Sequence, residues 1–352
     1  MKKIIAVLAC AGMLASCGVQ GKMESSSDAT DVAAPSVSSG GDPRSFTGVT
    51  NVTDFEDIVP VTEDAQPALP VELTDADGYD VTVTDVSRIL ALDIYGTYTK
   101  TLEGLGLTEN IVGRTVSSTE KAIADLPVVT QGGHNINVEA VLSLKPTLVI
   151  VDHSIGPADA IDQIRAAGVT VVVMEPKRTI DSVADDIANV AGVVGLPEEG
   201  EALAQRSVAE IAANKEAIAA IAPTEPMRMA FLYARGEGGV FFIMGDGTGA
   251  KDLIEGIGGE DMGTTYDLSY AEPANAEALA KINPEVIIMM TDGLESTGGI
   301  DGLLQRPGVS QTVAGQNQRI VTIPDGQSLA FGPMTGHTLL KLAQAVYDPA
   351  SA

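Results

Sequence analysis

The most regular pattern of apolar and polar positions in this 352-residue chain occurs twice. Residues 137 to 152 and 275 to 290 share Asn, Glu, Ala, Pro and Ile at matching places, 138 positions apart, and most other positions keep their apolar or polar character. A shorter match lies upstream of each copy, Glu-Gly-Leu-Gly at 103 to 106 and Glu-Gly-Ile-Gly at 255 to 258. A repeat of this length indicates two related α/β lobes rather than a solenoid. Paired lobes form a cleft, which is a common place for a ligand.

Strands and helices alternate in the elements predicted around the first copy. Short continuous apolar runs predict buried strands, and apolar residues every three or four positions predict helices. Because the two kinds of element alternate, the sheets are expected to be parallel. The predicted elements of this lobe are strands at 81–84, 88–92, 111–114, 148–151 and 169–174, and helices ending near 103 and covering 138–144 and 158–167.

The second lobe is predicted to repeat this order from a strand at Met229 to Leu232 to a last helix at 335 to 347. Residues 179 to 222, between the lobes, have a helical pattern that is interrupted once, before Pro197. Proline suits the first turn of a helix, and the segment from Pro197 to 222 is long enough for about 39 Å of helix. One stiff connection of this kind predicts small movements of the lobes.

The beginning of the chain has the pattern of a lipoprotein signal. Lys2 and Lys3 precede an apolar stretch that is too short to span a bilayer, and Leu-Ala-Ser-Cys17 follows it. We expect cleavage after residue 16 and lipidation of Cys17. Cys10 would leave with the signal, so the mature chain is expected to have no disulfide.

Composition and position divide the chain into five expected parts. Residues 17 to 67 are rich in Ser, Asp, Gly, Thr and Pro, which predicts that lipidated Cys17 is followed by a flexible acidic tether. The expected parts are a cleaved signal at 1–16, this tether at 17–67, an N-terminal α/β lobe at 68–178, a linking helix at 179–222 and a C-terminal α/β lobe at 223–352.

Charge and motifs exclude several functions. The net charge of −27 argues against a nucleic acid partner, because phosphates would be repelled. Residues 245 to 250, Gly-Asp-Gly-Thr-Gly-Ala, satisfy the letters of a dinucleotide motif, but they lie inside the second lobe of an exported protein. A glycine turn that opens a helix accounts for them. The chain contains no nucleophile elbow, and no cysteine with a free thiol would remain after processing, so we expect a binding protein rather than an enzyme.

The repeated segments, NVEAVLSLKPTLVI and NAEALAKINPEVII, together with the lipoprotein signal and the long linking helix, resemble the helical-backbone class of ABC-transporter solute-binding proteins. The resemblance covers nearly everything after about residue 70. It implies an α/β fold of two Rossmann-like lobes joined by one long α-helix, with the ligand cleft between the lobes. It also implies a cargo of haem, siderophore or corrinoid, and a permease and ATPase complex as partner. The expected location is the outer face of the cytoplasmic membrane, lipid-anchored through Cys17, where surface proteins that donate haem are further possible partners.

Three residues favour haem among these cargoes. The chain has only three histidines, which argues against a multi-histidine zinc site. His134 lies in a glycine-flanked loop of the first lobe, and Tyr233 and Arg235 follow the predicted strand Met229 to Leu232 in the second. Histidine and tyrosine are axial ligands of haem iron, and a neighbouring guanidinium favours the phenolate form of the tyrosine. A ferric siderophore or a corrinoid remains the alternative cargo.

The resemblance implies roles for further residues. His134, Tyr233 and Arg235 are similar in arrangement to the site of haem-binding members of the class, and Tyr270 and Met290 match positions that line the pocket. Tyr95 lies where the first ligand loop of the family is found, and we expect it to contact the porphyrin ring. An acidic residue of each lobe is expected to dock onto arginines of the permease, Asp159 in the first lobe and Glu295 or Asp301 in the second. His153 is expected at the rim of the cleft and His337 in a structural role.

Overall fold

The computed structural model describes Pro35 and residues 41 to 350, so the predicted signal and Cys17 lie outside the described residues. The strands are β1 Val49–Asn51, β2 Val71–Thr74, β3 Asp80–Val83, β4 Ile89–Leu92, β5 Thr130–Gln131, β6 Asn135–Ile136, β7 Leu148–Asp152, β8 Thr170–Met174, β9 Arg228–Arg235, β10 Val240–Met244, β11 Glu260–Asp261, β12 Ala271–Pro273, β13 Val286–Met290 and β14 Ile320–Ile323.

Helices separate most of these strands. They are α1 Thr97–Gly104, α2 Val138–Ser143, α3 Ala158–Ala166, α4 Val183–Val193, α5 Pro197–Ile221, α6 Ala250–Gly256, α7 Met262–Thr265, α8 Ala276–Ile282, α9 Thr291–Ser296, α10 Gly299–Leu304, α11 Val313–Gln316, α12 Asp325–Ser328 and α13 Thr335–Tyr347. Short 3₁₀ turns occur at Pro43–Ser45, Thr108–Asn110, Lys121–Ile123 and Val309–Gln311.

The sequence repeat builds the same unit in both lobes. Asn137 accepts a hydrogen bond from the Ala140 backbone N–H at 3.1 Å and so caps α2, and Asn275 accepts one from the Ala278 N–H at 2.9 Å and caps α8. Each helix leads through a proline turn into a buried strand, β7 in the first lobe and β13 in the second. Asparagine is a preferred residue at this helix position because its side chain satisfies a free backbone N–H. The predicted α/β fold of two related lobes is confirmed.

The N-terminal lobe contains a parallel sheet in the order β4, β7, β8. Ile89 pairs with Leu148, and Leu148 pairs with Thr170. Most side chains of these strands are buried on both faces, as expected for a parallel sheet covered by helices. The predicted strand at 111 to 114 does not form a ladder. It makes two isolated bridges, Ile111 to Ile89 and Arg114 to Val128.

The C-terminal lobe contains a larger sheet in the order β1, β14, β13, β9, β10, β12. The ladders among β1, β14, β13 and β9 are parallel, as predicted, whereas β10 runs antiparallel to β9 and to β12. The hairpin between β9 and β10 lengthens β9 to Arg235, three residues beyond its predicted end. Tyr233 and Arg235 therefore lie inside a strand rather than in the loop after it.

Helix α5 connects the lobes and packs against α4 and α13. Pro197 occupies its first turn, and its ends differ by no more than one residue from the predicted segment 197 to 222. A continuous apolar core runs from Ile89 in the first sheet, past Leu203 of α5, to Phe231 in the second sheet. Because both lobes share this core, a movement of one against the other would disturb close packing.

The structure differs from the predicted tether at residues 41 to 67. Strand β1 pairs in parallel with β14, and the Arg44 guanidinium forms an ion pair with Glu285 at 3.1 Å. Phe55 and Val61 pack against the core. A three-residue strand has no periodicity to detect, and the polar composition of the segment concealed its tertiary partners. Residues 43 to 61 thus include segments that pack on the folded lobes.

None of the helices in residues 41 to 350 has the length and apolar character needed to cross a membrane.

Candidate ligand cleft between the lobes

Three parallel strands of the C-terminal lobe bring functional side chains together. Arg235 ends β9, Met290 ends β13, and Asp325 begins α12 just after β14. Because the carboxyl ends of parallel strands meet at one edge of a sheet, these residues are neighbours. The Arg235 Nη2 donates to an Asp325 carboxylate oxygen and lies 3.3 Å from the Met290 Sδ. The predicted pocket residues Arg235 and Met290 are thus in contact.

Arg235 also covers the proposed iron ligand. Its guanidinium carbon lies 4.8 Å from the centre of the Tyr233 ring. Gly293 leaves room for this position, because a Cβ there would lie 2.9 Å from the Arg235 Nη1. A cation is attracted to the face of an aromatic ring, so Arg235 and Tyr233 form a cation–π pair.

Asp325 fixes the arginine. One of its carboxylate oxygens pairs with Arg235, and the other accepts the Asp292 backbone N–H at 3.0 Å. Burial raises the pKa of Asp325 above its usual value, although the charge of Arg235 opposes this shift. The carboxylate therefore depends on Arg235 for its stabilisation, and the arginine depends on Asp325 for its orientation.

The N-terminal lobe has its own tyrosine and arginine at the carboxyl ends of its strands. The Arg178 guanidinium carbon lies 4.6 Å from the centre of the Tyr95 ring. Arg178 donates to Asp152 at the end of β7 and forms a longer ion pair with Asp93, 3.8 Å, directly after β4. The Tyr98 hydroxyl donates to Asp152 at 2.6 Å. All five groups form one connected polar cluster, which we call the N-lobe cluster.

Burial dominates the electrostatics of the N-lobe cluster. Asp93 is fully buried, and burial raises its pKa to about 6 against the opposing charge of Arg178. Burial also raises the pKa of the Tyr98 phenol, with Asp152 adding to the shift. The pKa of Tyr95 is raised by burial first and then by the neighbouring Tyr270. The tyrosines of this cluster are therefore neutral hydrogen-bonding groups.

Tyr95 and Tyr270 come from different lobes and lie close together. Tyr95 precedes α1 in the first lobe, Tyr270 precedes β12 in the second, and the proximity of Tyr270 helps to raise the pKa of Tyr95. Tyr270 is 61% exposed and has a φ of 34°, a left-handed value that strains a bulky side chain. Both predicted ring-contacting tyrosines thus lie at the same point of the cleft, with Tyr270 free on one side.

His134 lies in the turn between β5 and β6. Gly132 and Gly133 before it have φ values of 58° and 87°, which glycine adopts without strain. The His134 carbonyl accepts the Gly156 N–H at 2.9 Å, so the backbone is held while the imidazole is exposed. The side chain is therefore accessible to a ligand.

The other two histidines have structural surroundings. The His153 Nε2 is 2.8 Å from Asp77 at an exposed position, and His337 packs against Phe55 with ring centres 5.8 Å apart. Burial lowers the pKa of His337, which favours its neutral form.

The docking candidates are exposed. Asp159 lies in the first turn of α3, shortly after β7. Glu295 belongs to α9 and Asp301 to α10, both after β13. The repeat therefore places an exposed carboxylate after the equivalent strand of each lobe.

Sequence reasoning missed four polar residues of the cleft. Asp93, Asp152, Arg178 and Asp325 each lie at the end of a buried strand or shortly after it. Asp93, Asp152 and Asp325 lie within two residues of a strand end, which is the kind of position that pointed to Tyr233.

Comparisons with known proteins agree with this geometry. A family model described as periplasmic binding protein matches residues 94 to 326. The solved structure of a heme binding protein, HmuT, is 62% identical, covers 88% of this chain and 100% of that one, and superposes with a TM-score of 0.86. The periplasmic heme-binding protein RhuT from Roseiflexus sp. RS-1, in apo form, is 35% identical over 76% of this chain and 100% of its own, with a TM-score of 0.70.

A curated relative from Bacillus subtilis (strain 168), an uncharacterized ABC transporter substrate-binding lipoprotein called YvrC, is 25% identical over 281 residues, or 79% of this chain and 86% of its own. Three further structures of HmuT each carry one alanine substitution, of a tyrosine, a histidine or an arginine. In that protein the tyrosine follows the histidine by 99 positions and the arginine follows the tyrosine by 2. His134, Tyr233 and Arg235 have the same spacing.

Proposed function

This chain belongs to the periplasmic binding protein family, and we propose that it binds one ferric haem between its lobes and delivers it to an ABC transporter. The observation that carries the proposal is the Tyr233–Arg235 pair at the carboxyl end of β9, with the Arg235 guanidinium carbon 4.8 Å from the ring centre. The 62% identity to the heme binding protein HmuT supports it. Membership of a family of binding proteins also fits a sequence without catalytic motifs.

Two axial ligands would come from different lobes. Tyr233 of the C-terminal lobe would supply a phenolate and His134 of the N-terminal lobe an imidazole. A free phenol has a pKa of about 10, so ionising it at pH 7 costs about 4 kcal/mol. The positive charge of Arg235 over the ring would stabilise the phenolate once it is bound to iron, and Asp325 would keep the arginine in this position. Tyr95, Tyr270 and Met290 would contact the porphyrin.

An absorption titration with haemin tests the cargo. We expect a Soret band that saturates at one haem per chain and a charge-transfer band of tyrosine-ligated ferric iron. Aqueous ferric siderophores and cobalamin serve as competitors, and neither should displace haem at equal concentration. A chain that ignores haemin but binds a siderophore or a corrinoid tightly would refute the assignment.

Delivery is the second part of the proposal. Cys17 would carry the lipid that holds the protein at the outer face of the cytoplasmic membrane, where surface haem donors would load it. Asp159 and Glu295, or Asp301 in its place, would dock onto permease arginines. Such rim charges mainly set orientation and association rate. Replacing Asp159 and Glu295 together by Lys should reduce haem uptake by cells and leave haem binding by the purified protein unchanged. Full uptake, or loss of haem binding, would argue against this docking role.

A further inference from the structure

A cavity of about 640 Å³ lies beside the segment 51 to 58, which follows β1. The N-terminal lobe contributes Glu103 and Glu120 to its wall, and the C-terminal lobe contributes Asp292 of α9 and Asp325 of α12. His134, Tyr233 and Tyr270 do not line it. The cavity meets the proposed haem site at Asp325 and at Thr291, which follows Met290.

Negative charge dominates the cavity wall. Its single basic residue, Lys121, is largely exposed and pairs with Asp57 at 3.2 Å. Apolar side chains, among them Val52, Phe55 and Ile58, and uncharged polar side chains form the remaining surface. The acidic residues of the wall are Asp54, Glu56, Asp57, Glu103, Glu120, Asp292 and Asp325.

Two of these carboxylates are buried and share one cation. The fully buried Lys100 donates to one Glu120 oxygen, and the other Glu120 oxygen has no hydrogen-bond partner. Glu103 is 4% exposed, and one of its oxygens also has no partner. Burial, and then repulsion from Glu120, raise the pKa of Glu103 to about 8. When both carboxylates are ionised, Lys100, Glu103 and Glu120 together therefore carry one net negative charge.

We infer that this cavity binds a small organic cation, an alkyl diamine or polyamine, whose primary ammonium lies between Glu103 and Glu120. An ammonium group donates three hydrogen bonds and would satisfy the unpartnered oxygens of both carboxylates. The methylene chain would lie against Phe55 and Ile58, and a second ammonium would meet the carboxylates at Asp54 and Asp57. Within residues 41 to 350 no three His, Cys, Asp or Glu side chains are grouped closely enough to hold a metal ion, which favours an extended cation over a metal.

Titration calorimetry of the purified protein with 1,5-diaminopentane tests the inference. We expect one diamine per chain and, in two buffers of different ionisation enthalpy at pH 7, release of close to one proton, because binding ionises Glu103. For the same reason the affinity should rise between pH 7 and pH 9. Saturation by Mg²⁺ or Ca²⁺ at equal or lower concentration, or binding with no proton release, would overturn the inference.

A matched pair of variants separates the site from the general acidity of the chain. Glu103→Gln should weaken diamine binding at least tenfold and remove the proton release, whereas Glu72→Gln, the same substitution at an exposed position of β2, should alter neither. Equal weakening by both would mean that only long-range charge is sensed. If Glu103→Gln does not fold, the proton release and pH profile of the unaltered protein still decide. Haem binding by Glu103→Gln should be unchanged, so failure here is distinguishable from failure of the haem assignment.

Discussion

Each lobe presents a tyrosine under an arginine at the carboxyl end of its sheet, but the two arrangements differ in their carboxylates. In the C-terminal lobe Arg235 pairs with Asp325 alone, and its side chain is 35% exposed. In the N-terminal lobe Arg178 pairs with both Asp93 and Asp152, and its side chain is 16% exposed. The distances from guanidinium carbon to ring centre are nearly equal, 4.8 and 4.6 Å.

The number of carboxylates decides what each arginine does for its tyrosine. Asp152 opposes the effect of Arg178 on Tyr95, and burial raises the pKa of that phenol, so Tyr95 stays a neutral donor. Arg235 has less negative charge around it and remains open to the cleft. Stacking of an arginine on a tyrosine therefore does not by itself make the tyrosine an iron ligand. The C-terminal arrangement suits coordination, and the N-terminal one suits support of the lobe.

The largest expected effect comes from two separate variants, each of which replaces one of the two tyrosines by phenylalanine. Tyr233→Phe should lower haem affinity about 1,000-fold, or about 4 kcal/mol, because the anionic iron ligand is lost. Tyr95→Phe should change affinity by less than about tenfold and keep the charge-transfer band. Absorption titration of both variants measures the difference. Equal losses would remove the distinction between the lobes.

The next test compares the stability of the two ion pairs. Asp152→Ala should lower the free energy of unfolding by about 3 kcal/mol, because it leaves Arg178 and the Tyr98 hydroxyl without their buried partner. Asp325→Ala should cost only about 1 kcal/mol, since Arg235 keeps contact with solvent. Urea unfolding followed by circular dichroism gives both values. A larger loss for Asp325→Ala would contradict the structural role given to the N-lobe cluster.

The second carboxylate of the N-lobe cluster predicts a pH effect. The folded-state pKa of Asp93, about 6, lies above its ordinary value of 3.8. Its stabilising contribution is therefore fully present below pH 4 and is lost as pH rises through 6. Between these values the protein should lose about 2 kcal/mol from this group. Asp93→Asn should remove that part of the pH dependence when unfolding is measured from pH 4.5 to 7.5, and an unchanged slope would show that Asp93 does not titrate there.

The smallest expected effect is on the pH profile of haem binding. Arg235→Ala should weaken haem binding more at low pH than at high pH, because the positive charge that would stabilise an iron-bound phenolate is lost. Arg235→Lys retains the charge and should weaken it less. Spectral titrations between pH 6 and 10 measure both. Equal weakening at every pH would mean that Arg235 contacts haem directly instead of acting on the phenol.

Local patterns in the sequence accounted for much of the fold. Asn137 and Asn275 cap equivalent helices, and the apolar runs after them form the central strands, because these features depend on residues within one or two turns. Strand β1 and the end of β9 were not predicted, since they form only by pairing with β14 and β10. Pairing of that kind is decided by tertiary contacts rather than by local preference.

The site was predicted in part for the same reason. His134, Tyr233 and Arg235 stand out by residue type and by neighbouring glycines or strands. Asp325 lies 90 positions from Arg235 in sequence, so nothing local connects them. In a chain with 48 acidic residues, a single aspartate also carries little information. Only the parallel register of β9, β13 and β14 identifies it as the partner of the arginine.

The apolar core that passes through α5 has a consequence for unloading. Two lobes fused through one core resist opening, so thermal motion alone gives a bound cargo few routes out. The docked permease would then have to release the cargo, either by separating the two lobes or by offering the cargo better ligands. A carrier built in this way holds its cargo against dilution in the surroundings, and the rate of uptake is set at the moment of docking rather than by spontaneous escape.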